Sequence, residues 1–264
     1  MSRSIITLTT DFGLKDPYVA EMKAVILSIN PDAAIVDITH QIEKFNVRMG
    51  AYVLASAAAY FPKGTIHVAV VDPGVGTKRW PILIQTKKAF YIGPDNGVLA
   101  LAAKNQGIEH IYEIRNRKFM MPKISNTFHG RDIFAPAAAH LSRGAQPADY
   151  GPEIRKIVTP KFVDAGQRGD VFVGEVLHVD DFGNIVTNFR EEKLEALCVR
   201  DAVNVEIGRV RLKLKLCKAY AEVEKHKPLA IIGSHDFLEI SINQGNASKT
   251  FNVKVGDKVK LCRS

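Results

Sequence analysis

The chain has 264 residues, of which 46% are hydrophobic and 24% charged, and its formal net charge is +8 at pH 7. This is ordinary globular composition, which excludes a disordered, collagen-like or coiled-coil chain. No apolar run approaches the roughly 18 residues of a membrane span, and the N-terminal apolar stretch is too short and interrupted for a signal peptide. The net positive charge is compatible with an anionic partner such as nucleic acid, but charge alone does not establish one.

Strand and helix patterns alternate over residues 1–160. Apolar runs rich in β-branched residues predict strands, and apolar residues at helical spacing predict helices between them. The predicted strands are Ile5–Thr10, Ala34–Ile38 and Ile66–Val71, the predicted helices are Pro17–Ile29, Val47–Tyr60, Gly97–Lys104 and Asp132–Ser142, and a hairpin is predicted at Ile82–Ile92. Asp16 is expected to cap the first helix. The third strand is apolar enough to be buried on both faces, which favours an α/β domain with a mostly parallel sheet.

The pattern changes near residue 160. Residues 161–169 are predicted to form a polar linker, and residues 170–264 hold short apolar runs separated by turn residues. The predicted strands are Val171–Val179, Asn184–Phe189, Val203–Ile207, Val210–Leu216, Leu229–Ile232, Phe237–Ile242 and Lys258–Cys262. Only Glu191–Leu197 is predicted to be helical. We therefore expect a small all-β domain, either a barrel or a sandwich.

The three cysteines, Cys198, Cys217 and Cys262, are scattered and odd in number. Their spacing fits neither a disulfide framework nor a zinc site. We expect them to be small apolar core residues of a protein in the reducing cytoplasm.

Residues 209–218 alternate cations with apolar residues. In a strand, this alternation places the cations on one face, and such a face can bind phosphates. The segment has no interleaved aromatic residues and no known nucleic-acid motif. We therefore favour the solvated face of an edge strand, where lysine also blocks aggregation.

Three polar clusters belong to loops of the first domain. Asp11 follows the first strand, Asp72 and Arg79 lie in a Pro- and Gly-containing loop after the third, and His129 precedes the last helix. Ligands of open parallel sheets bind outside the carboxyl ends of the strands. Asp11 can accept hydrogen bonds from the hydroxyls of a ribose, and His129 can act as an acid, a base or a water-positioning group. Each cluster alone also fits a turn or a helix cap, and their combination is what indicates a site.

Two loops of the second domain carry further polar groups. Residues 180–184 combine Asp180, Phe182 and Asn184, so that a ring can stack on a nucleobase and an amide can bind its edge. Residues 233–248 supply hydroxyl, carboxylate and backbone groups that can hold an amino acid. Both segments also fit simple turns, in which glycine supplies only the backbone geometry.

Taken together, these segments resemble a known family. The motifs that carry the resemblance are Thr10-Asp11-Phe12-Gly13 with Asp16 and Tyr18, Asp72-Pro-Gly-Val-Gly-Thr77 with Arg79, Phe128-His-Gly-Arg-Asp132, Asp180-Asp-Phe-Gly-Asn184 and Gly245-Asn-Ala-Ser248. They are similar, in order and over nearly the whole chain, to the S-adenosyl-L-methionine (SAM) hydrolases that form adenosine. These enzymes are also called SAM hydroxide adenosyltransferases, and they are related to the SAM-dependent fluorinase and chlorinase.

The resemblance implies a two-domain homotrimer whose sites lie between the N-terminal domain of one subunit and the C-terminal domain of the next. It implies that an activated water attacks C5′ of the SAM ribose, which yields adenosine and L-methionine without a metal or other cofactor. Asp72, Arg79 and His129 match the catalytic set of the family. The substrate-binding positions that it implies are Asp11 for the ribose, Asn184 with Phe182 and the backbone near Ala247 for adenine, Asp180, Ser234 and Glu239 for the methionine end, and Asp16 and Tyr18.

Two alternatives remain open from the sequence. The first is halide transfer on the same scaffold, although the halide-using relatives lack the Asp-Arg-His set and have Ser-Arg where this chain has Ser234-His235. The carboxylate of Asp72 would also repel a halide ion. The second alternative is a protein that binds SAM, adenosine or nucleic acid without turnover. We expect neither nucleic acid nor a membrane as a partner.

Overall fold

The computed structural model describes residues 3–169, 171–196, 201–208 and 210–262. It divides the chain into two compact units, Met1–Pro160 and Lys161–Ser264. The predictions above that fall on Leu197, Cys198 and Arg209 lie outside the described ranges.

The first unit contains a six-stranded sheet with the strand order β2-β1-β3-β5-β4-β6. Its strands are β1 (Ile5–Thr10), β2 (Ala34–Thr39), β3 (Ile66–Val70), β4 (Pro81–Thr86), β5 (Phe90–Pro94) and β6 (Ile108–Glu113). β1 is parallel to β2 and β3, and β3 is parallel to β5, whereas β4 is antiparallel to both of its neighbours. All five residues of β3 are buried, as the apolar run predicts. The expected α/β domain with a mostly parallel sheet is confirmed.

Four α-helices pack on this sheet. They are α1 (Tyr18–Ile29), α2 (Val47–Ala58), α3 (Ala100–Gln106) and α4 (Ala135–Ser142). The predicted cap of α1 is wrong: Pro17 occupies the N-cap position without a side-chain hydrogen bond, because the fixed φ of proline suits a helix start by itself. A π-helical turn, Gly130–Phe134, precedes α4 where a regular helix is predicted.

The two faces of the sheet differ in polarity. The face toward α1 and α4 carries Ile6, Leu8 and Val68, which belong to the main apolar core. On the opposite face Thr7, His67 and Tyr91 occupy one row across β1, β3 and β5. His67 is fully buried, its Nδ1 lies 2.8 Å from Thr7 Oγ1, and its ring stacks on Tyr91 at 5.0 Å between centroids. A buried histidine of this kind makes the fold sensitive to acid.

Lowering the pH from 7 to 5 should cost the fold about 2 kcal/mol through His67, since each pKa unit is worth ~1.4 kcal/mol. Burial lowers the pKa of His67 from 6.5 to about 4, so the unfolded chain binds a proton that the folded chain does not. The loss therefore begins near pH 6.5 and is complete near pH 4. Urea unfolding at both pH values, for the wild type and His67→Gln, measures it. Equal loss of stability in both proteins would contradict this role of His67.

The second unit is a closed seven-stranded barrel. Its strands are β8 (Val171–Val179), β9 (Ile185–Arg190), β10 (Ala202–Ile207), β11 (Val210–Cys217), β12 (Pro228–Ile232), β13 (Phe237–Ile242) and β14 (Lys258–Cys262). They follow one another in the order β14-β10-β11-β12-β13-β9-β8, and a pairing of β14 with β8 closes the ring. Inward side chains such as Val176, Leu238 and Leu261 form its core. The expected all-β domain is confirmed, and it is a barrel rather than a sandwich.

Three segments of this unit differ from their predictions. Residues 161–169, predicted as a linker, include β7 (Gly166–Arg168), which pairs with β8. The basic strand β11 exposes Lys213 and Lys215 as predicted. Among the described strands, its residues 210–215 pair only with β10, as expected of an edge strand, but its last two residues pair with β12 instead. The predicted helix of this unit is α5 (Glu191–Ala196). Residues 247–251, whose sequence also fits a turn, form a second short helix, α6 (Ala247–Phe251).

Candidate active site

A cavity of about 570 Å³ lies where β1, β3 and the π-helical turn end or begin. Members of all three polar clusters of the first domain line it: Asp11, Asp72 and His129, together with Asp16 and Tyr18. The structure thus brings together five of the residues that the sequence indicates in this domain. A sixth, Arg79, contacts two of them.

Arg79 holds Asp72 and His129 together. Its Nε donates to Asp72 Oδ1 at 3.1 Å and to Oδ2 at 2.9 Å, and its Nη2 also donates to Oδ2. The same Nη2 lies 2.7 Å from His129 Nδ1. Both members of the ion pair are buried, with side chains 4% (Asp72) and 9% (Arg79) exposed. The carboxylate is therefore fixed in position by a planar, multidentate partner.

The arrangement of this cluster depends on a close approach of two loops. Gly76 has φ 76°, and a Cβ atom there would lie 2.3 Å from the backbone oxygen of Asn126. Glycine at this position therefore lets the loop after β3 pack against the loop that carries His129. Arg79 also lies over the ring of Phe134, with Cζ 5.4 Å from the ring centroid.

The contact with Arg79 defines the protonation of His129. A guanidinium group can only donate, so His129 Nδ1 accepts the hydrogen bond and the ring proton is at Nε2. Burial, followed by the positive charge of Arg79, lowers the pKa of His129 against the opposing attraction of Asp72 and Asp132. His129 is therefore a neutral hydrogen-bond donor rather than a base at Nδ1. Arg79 Nη1 is buried and has no hydrogen-bond partner among the residues that the structure describes.

The segment after β2 supports Asp11. Asp11 is 5% exposed, and its Oδ2 accepts a hydrogen bond of 2.8 Å from the backbone N–H of Phe45. Lys44 Nζ donates to the backbone oxygen of Asp11. Phe45 has φ 64°, which is unusual for a residue with a side chain and is found at constrained functional positions.

Lys44 and Phe45 both line the cavity, and sequence reasoning missed them. They follow β2 in a polar segment without a clear motif. The only available signal was their position after a predicted strand.

An aromatic wall closes one side of the cavity. Phe12, Tyr18 and Phe128 meet edge to face, with centroid distances of 5.1 to 5.9 Å. Arg131 covers Phe128, with Cζ 5.0 Å from the ring centroid, and pairs with Glu21 at 2.8 Å. Glu21 and Arg131 also line the cavity. The wall therefore offers an apolar, electron-rich surface, fixed in part by Arg131.

The second unit holds the remaining residues that the sequence indicates. Asn184 is bound to Asp180 twice: its backbone N–H donates to Oδ1 and its Nδ2 to Oδ2, each at 2.8 Å. The Asn184 amide is thereby oriented, while Phe182 in the same turn is 79% exposed. Gly183 has φ 86°, and a Cβ atom there would lie 2.1 Å from Asn246, so the turn packs directly against the start of α6.

Glu239 is buried near this turn. Its Oε2 accepts a hydrogen bond of 3.1 Å from the Tyr220 hydroxyl. Burial raises the pKa of Glu239, the negative charge of Asp180 adds to this effect, and the bond from Tyr220 opposes it. A Cβ atom on Gly233 would lie 1.9 Å from Glu239 Oε1, which places the Ser234 loop beside this carboxyl group. Ala247 is fully buried, side chain and backbone alike.

Comparison with known proteins gives matches over both units. A model described as the SAM hydroxide adenosyltransferase N-terminal domain matches residues 6–151, and one described as the C-terminal domain of the same family matches residues 174–260. The chain is 40% identical to (R)-S-adenosyl-L-methionine hydrolase from Methanocaldococcus jannaschii, over 97% of this chain and 95% of that protein.

More distant and structural matches agree with this result. A fluorinase from Actinopolyspora mzabensis is 27% identical, over 100% of this chain and 98% of that protein. The crystal structure of an uncharacterized conserved protein from Thermotoga maritima superposes with a TM-score of 0.89 and 42% identity, covering 98% of this chain and 100% of that one.

Proposed function

The chain belongs to the SAM hydroxide adenosyltransferase family, and from this premise we propose that it hydrolyses S-adenosyl-L-methionine to adenosine and L-methionine. The observation that carries the proposal is the buried Asp72–Arg79–His129 cluster beside a cavity that Asp11 also lines. An enzyme of this type must place one water against C5′ and bind a ribose next to it. The cavity offers a carboxylate for each of these tasks.

In the proposed reaction, the oxygen of water forms a bond to C5′ while the C5′–S bond breaks. The bonding electrons go to sulfur, so the sulfonium becomes the neutral thioether of methionine. The attacking water loses one proton, and Asp72 is the group that accepts it or orients the water for its loss. Arg79 keeps the Asp72 carboxylate in one orientation. His129 is neutral and carries its ring proton at Nε2, so it can donate a hydrogen bond from that nitrogen. Positioning of the water is the main contribution of the protein.

The substrate contacts divide between the two units. We propose that Asp11 binds the ribose hydroxyls, with Asp16 and Tyr18 at the same cavity, and that Asn184, Phe182 and the backbone near Ala247 bind adenine. Ser234 and Glu239 serve the methionine end. Asp180 is also proposed to serve the methionine end. Both of its carboxylate oxygens accept hydrogen bonds from Asn184, so we assign it a second role in orienting the Asn184 amide.

We further propose a homotrimer in which each site combines two subunits. Support comes from the division of the binding residues between two units and from large apolar side chains left exposed next to them. Leu14 is 66%, Phe45 67% and Phe182 79% exposed, which is typical of surfaces that another chain covers. Light scattering in solution measures the mass of the assembly.

The proposed reaction needs no metal or other cofactor, because the sulfonium is itself a good leaving group. Within residues 3–169, 171–196, 201–208 and 210–262, no group of three or more His, Cys, Asp or Glu side chains could hold a metal ion. In the same part of the chain, no helix is long and apolar enough to cross a membrane. We propose a cytoplasmic enzyme whose partner is its small-molecule substrate, without nucleic acid or membrane.

Purified protein incubated with SAM should release adenosine and methionine in equal amounts. The relative from M. jannaschii is a hydrolase of (R)-SAM, so we expect the (R) sulfonium epimer to be the preferred substrate. Chromatography of reactions with the separated epimers measures both products. No adenosine above the rate without enzyme, for either epimer, would refute the hydrolase proposal.

Fluoride and chloride in parallel reactions separate the halide alternative, which the fluorinase relatives raise. A hydrolase gives adenosine at the same rate with and without halide. A 5′-halo-adenosine as the main product would instead identify a halide transferase. We expect adenosine, because Asp72 places a negative charge where a halide would bind.

A further inference from the structure

A side-chain relay, buried at Thr10 and His40 and exposed at Asp37, connects the loop that carries Asp11 to β2 and the segment after it. Thr10 is fully buried and His40 is 3% exposed. Thr10 Oγ1 lies 2.9 Å from His40 Nδ1 and accepts a hydrogen bond of 3.2 Å from the backbone N–H of Phe12. His40 Nε2 lies 3.0 Å from Asp37 Oδ1 as an ion-pair contact, without the geometry of a hydrogen bond. Asp37 Oδ2 accepts a hydrogen bond of 2.6 Å from Lys23.

The charge of Asp37 gives the relay a direction. Burial alone would raise the pKa of Asp37, but the contacts from Lys23 and His40 lower it below its usual value. A carboxylate beside Nε2 favours the ring proton at that nitrogen, which leaves Nδ1 as an acceptor. The Thr10 hydroxyl then donates to Nδ1, and its oxygen is left to accept from Phe12.

The relay ends on the peptide unit that follows Asp11, through the N–H of Phe12. The segment after β2 also binds the Asp11 loop through its backbone. Gly13 N–H donates to the His40 backbone oxygen at 2.7 Å, and Phe45 N–H donates to Asp11 Oδ2 at 2.8 Å. Phe45 therefore holds the Asp11 carboxylate directly, and Thr10 holds the backbone that follows Asp11. The backbone bonds do not need the Thr10 hydroxyl, so a variant without it should still fold.

We propose that Thr10 and His40 are positioning residues that aim the Asp11 carboxylate at the ribose hydroxyls, and that they thereby set selectivity for ribonucleosides over deoxyribonucleosides. The inference rests on the proposed role of Asp11 in binding ribose. Neither residue touches the substrate. They act by restricting the rotation of the backbone that carries Asp11.

The chain offers a matched control for a purely structural effect. Thr7, on the same strand, makes a similar contact of 2.8 Å with His67 and is equally buried. Thr7 lies three residues before Thr10, and its contact with His67 does not reach the Asp11 loop. Thr7→Val and Thr10→Val therefore remove comparable buried hydroxyls, and only Thr10→Val breaks the relay.

Calorimetric titration of adenosine and 2′-deoxyadenosine into the wild type, Thr10→Val, Thr10→Ser and Thr7→Val tests the inference. We expect the wild type to prefer adenosine, and Thr10→Val to lose roughly tenfold of that preference, the size of one hydrogen bond. Thr10→Ser keeps the hydroxyl and should retain the preference for adenosine. Thr7→Val should lower the melting temperature but leave the preference for adenosine unchanged. His40→Asn supplies the same readout if Thr10→Val does not fold.

Two results would overturn the inference: an unchanged preference in Thr10→Val and His40→Asn, or an equal loss in Thr7→Val. Failure of the proposed SAM hydrolysis can be distinguished from these results, because the wild-type protein itself would then release no adenosine. Wild-type protein that neither hydrolyses SAM nor prefers adenosine would refute the role of Asp11 and, with it, this inference.

Discussion

Replacement of Asp72 by asparagine should lower kcat for SAM hydrolysis by roughly 10³-fold, within the range expected when a general base is removed. Asparagine keeps the shape of the side chain and an oxygen that can accept from Arg79, but it has neither the charge nor the basicity of a carboxylate. The Asp72 side chain is 4% exposed, so bulk water cannot easily take over its role. Adenosine binding should change little, because Asp72 is proposed to act on the attacking water and not on the nucleoside.

Asp32→Asn is the matched control for this experiment. It makes the same chemical change on an exposed residue before β2, at the opposite end of the sheet from the cavity, and should leave kcat unchanged. Single-turnover rates and calorimetric titration with adenosine separate chemistry from binding. A variant at position 72 that turns over at the wild-type rate would show that another group handles the proton. Equal losses of turnover and adenosine affinity would assign Asp72 to binding instead.

Periodicity alone predicted most of the fold. In the second half, the strands at Val171–Val179 and Phe237–Ile242 have the bounds that the sequence indicates, because alternation of inward and outward residues is strong along a barrel strand. The missed elements are short or polar. β7 has three residues, α6 has five, and the first half of β6 contains exposed Glu109 and His110. Such elements are stabilised by their neighbours rather than by their own sequence.

The candidate site was predictable in its residue types but not in its geometry. Polar residues at the ends of β1 and β3 indicated Asp11 and Asp72, since parallel strands deliver their carboxyl ends to one edge. The tautomer of His129 could not be predicted, because it depends on a contact with Arg79 across 50 residues of sequence. Likewise, Phe45 acts through its backbone N–H, and no side-chain pattern reports a backbone donor.

Arg79→Lys should lower kcat by about 10²-fold although it keeps the positive charge, an effect similar to losing one preorganised donor in an active site. The arginine contacts both oxygens of Asp72 through Nε and Nη2 and also His129 through Nη2. A lysine ammonium is a compact point charge that cannot reproduce this planar fork. Asp72 would then rotate away from its aligned position, and His129 would lose the donor that fixes its tautomer.

Comparison with Arg79→Met separates geometry from charge in this cluster. Methionine leaves the buried carboxylate of Asp72 without a counter-charge, which should destabilise the fold by roughly 3–5 kcal/mol. The lysine variant keeps the charge and should lose only about 1–2 kcal/mol, for the hydrogen bonds that an ammonium cannot remake. Urea unfolding of both variants, with kcat and KM for SAM, measures the two effects. If Arg79→Lys kept full activity, the charge alone would suffice and the forked contact would be structural. If KM rose while kcat stayed constant, Arg79 would belong to substrate binding. The proposed role requires the remaining pattern, a fall in kcat in a stable protein, because only an aligned carboxylate can direct the attacking water along the C5′–S axis.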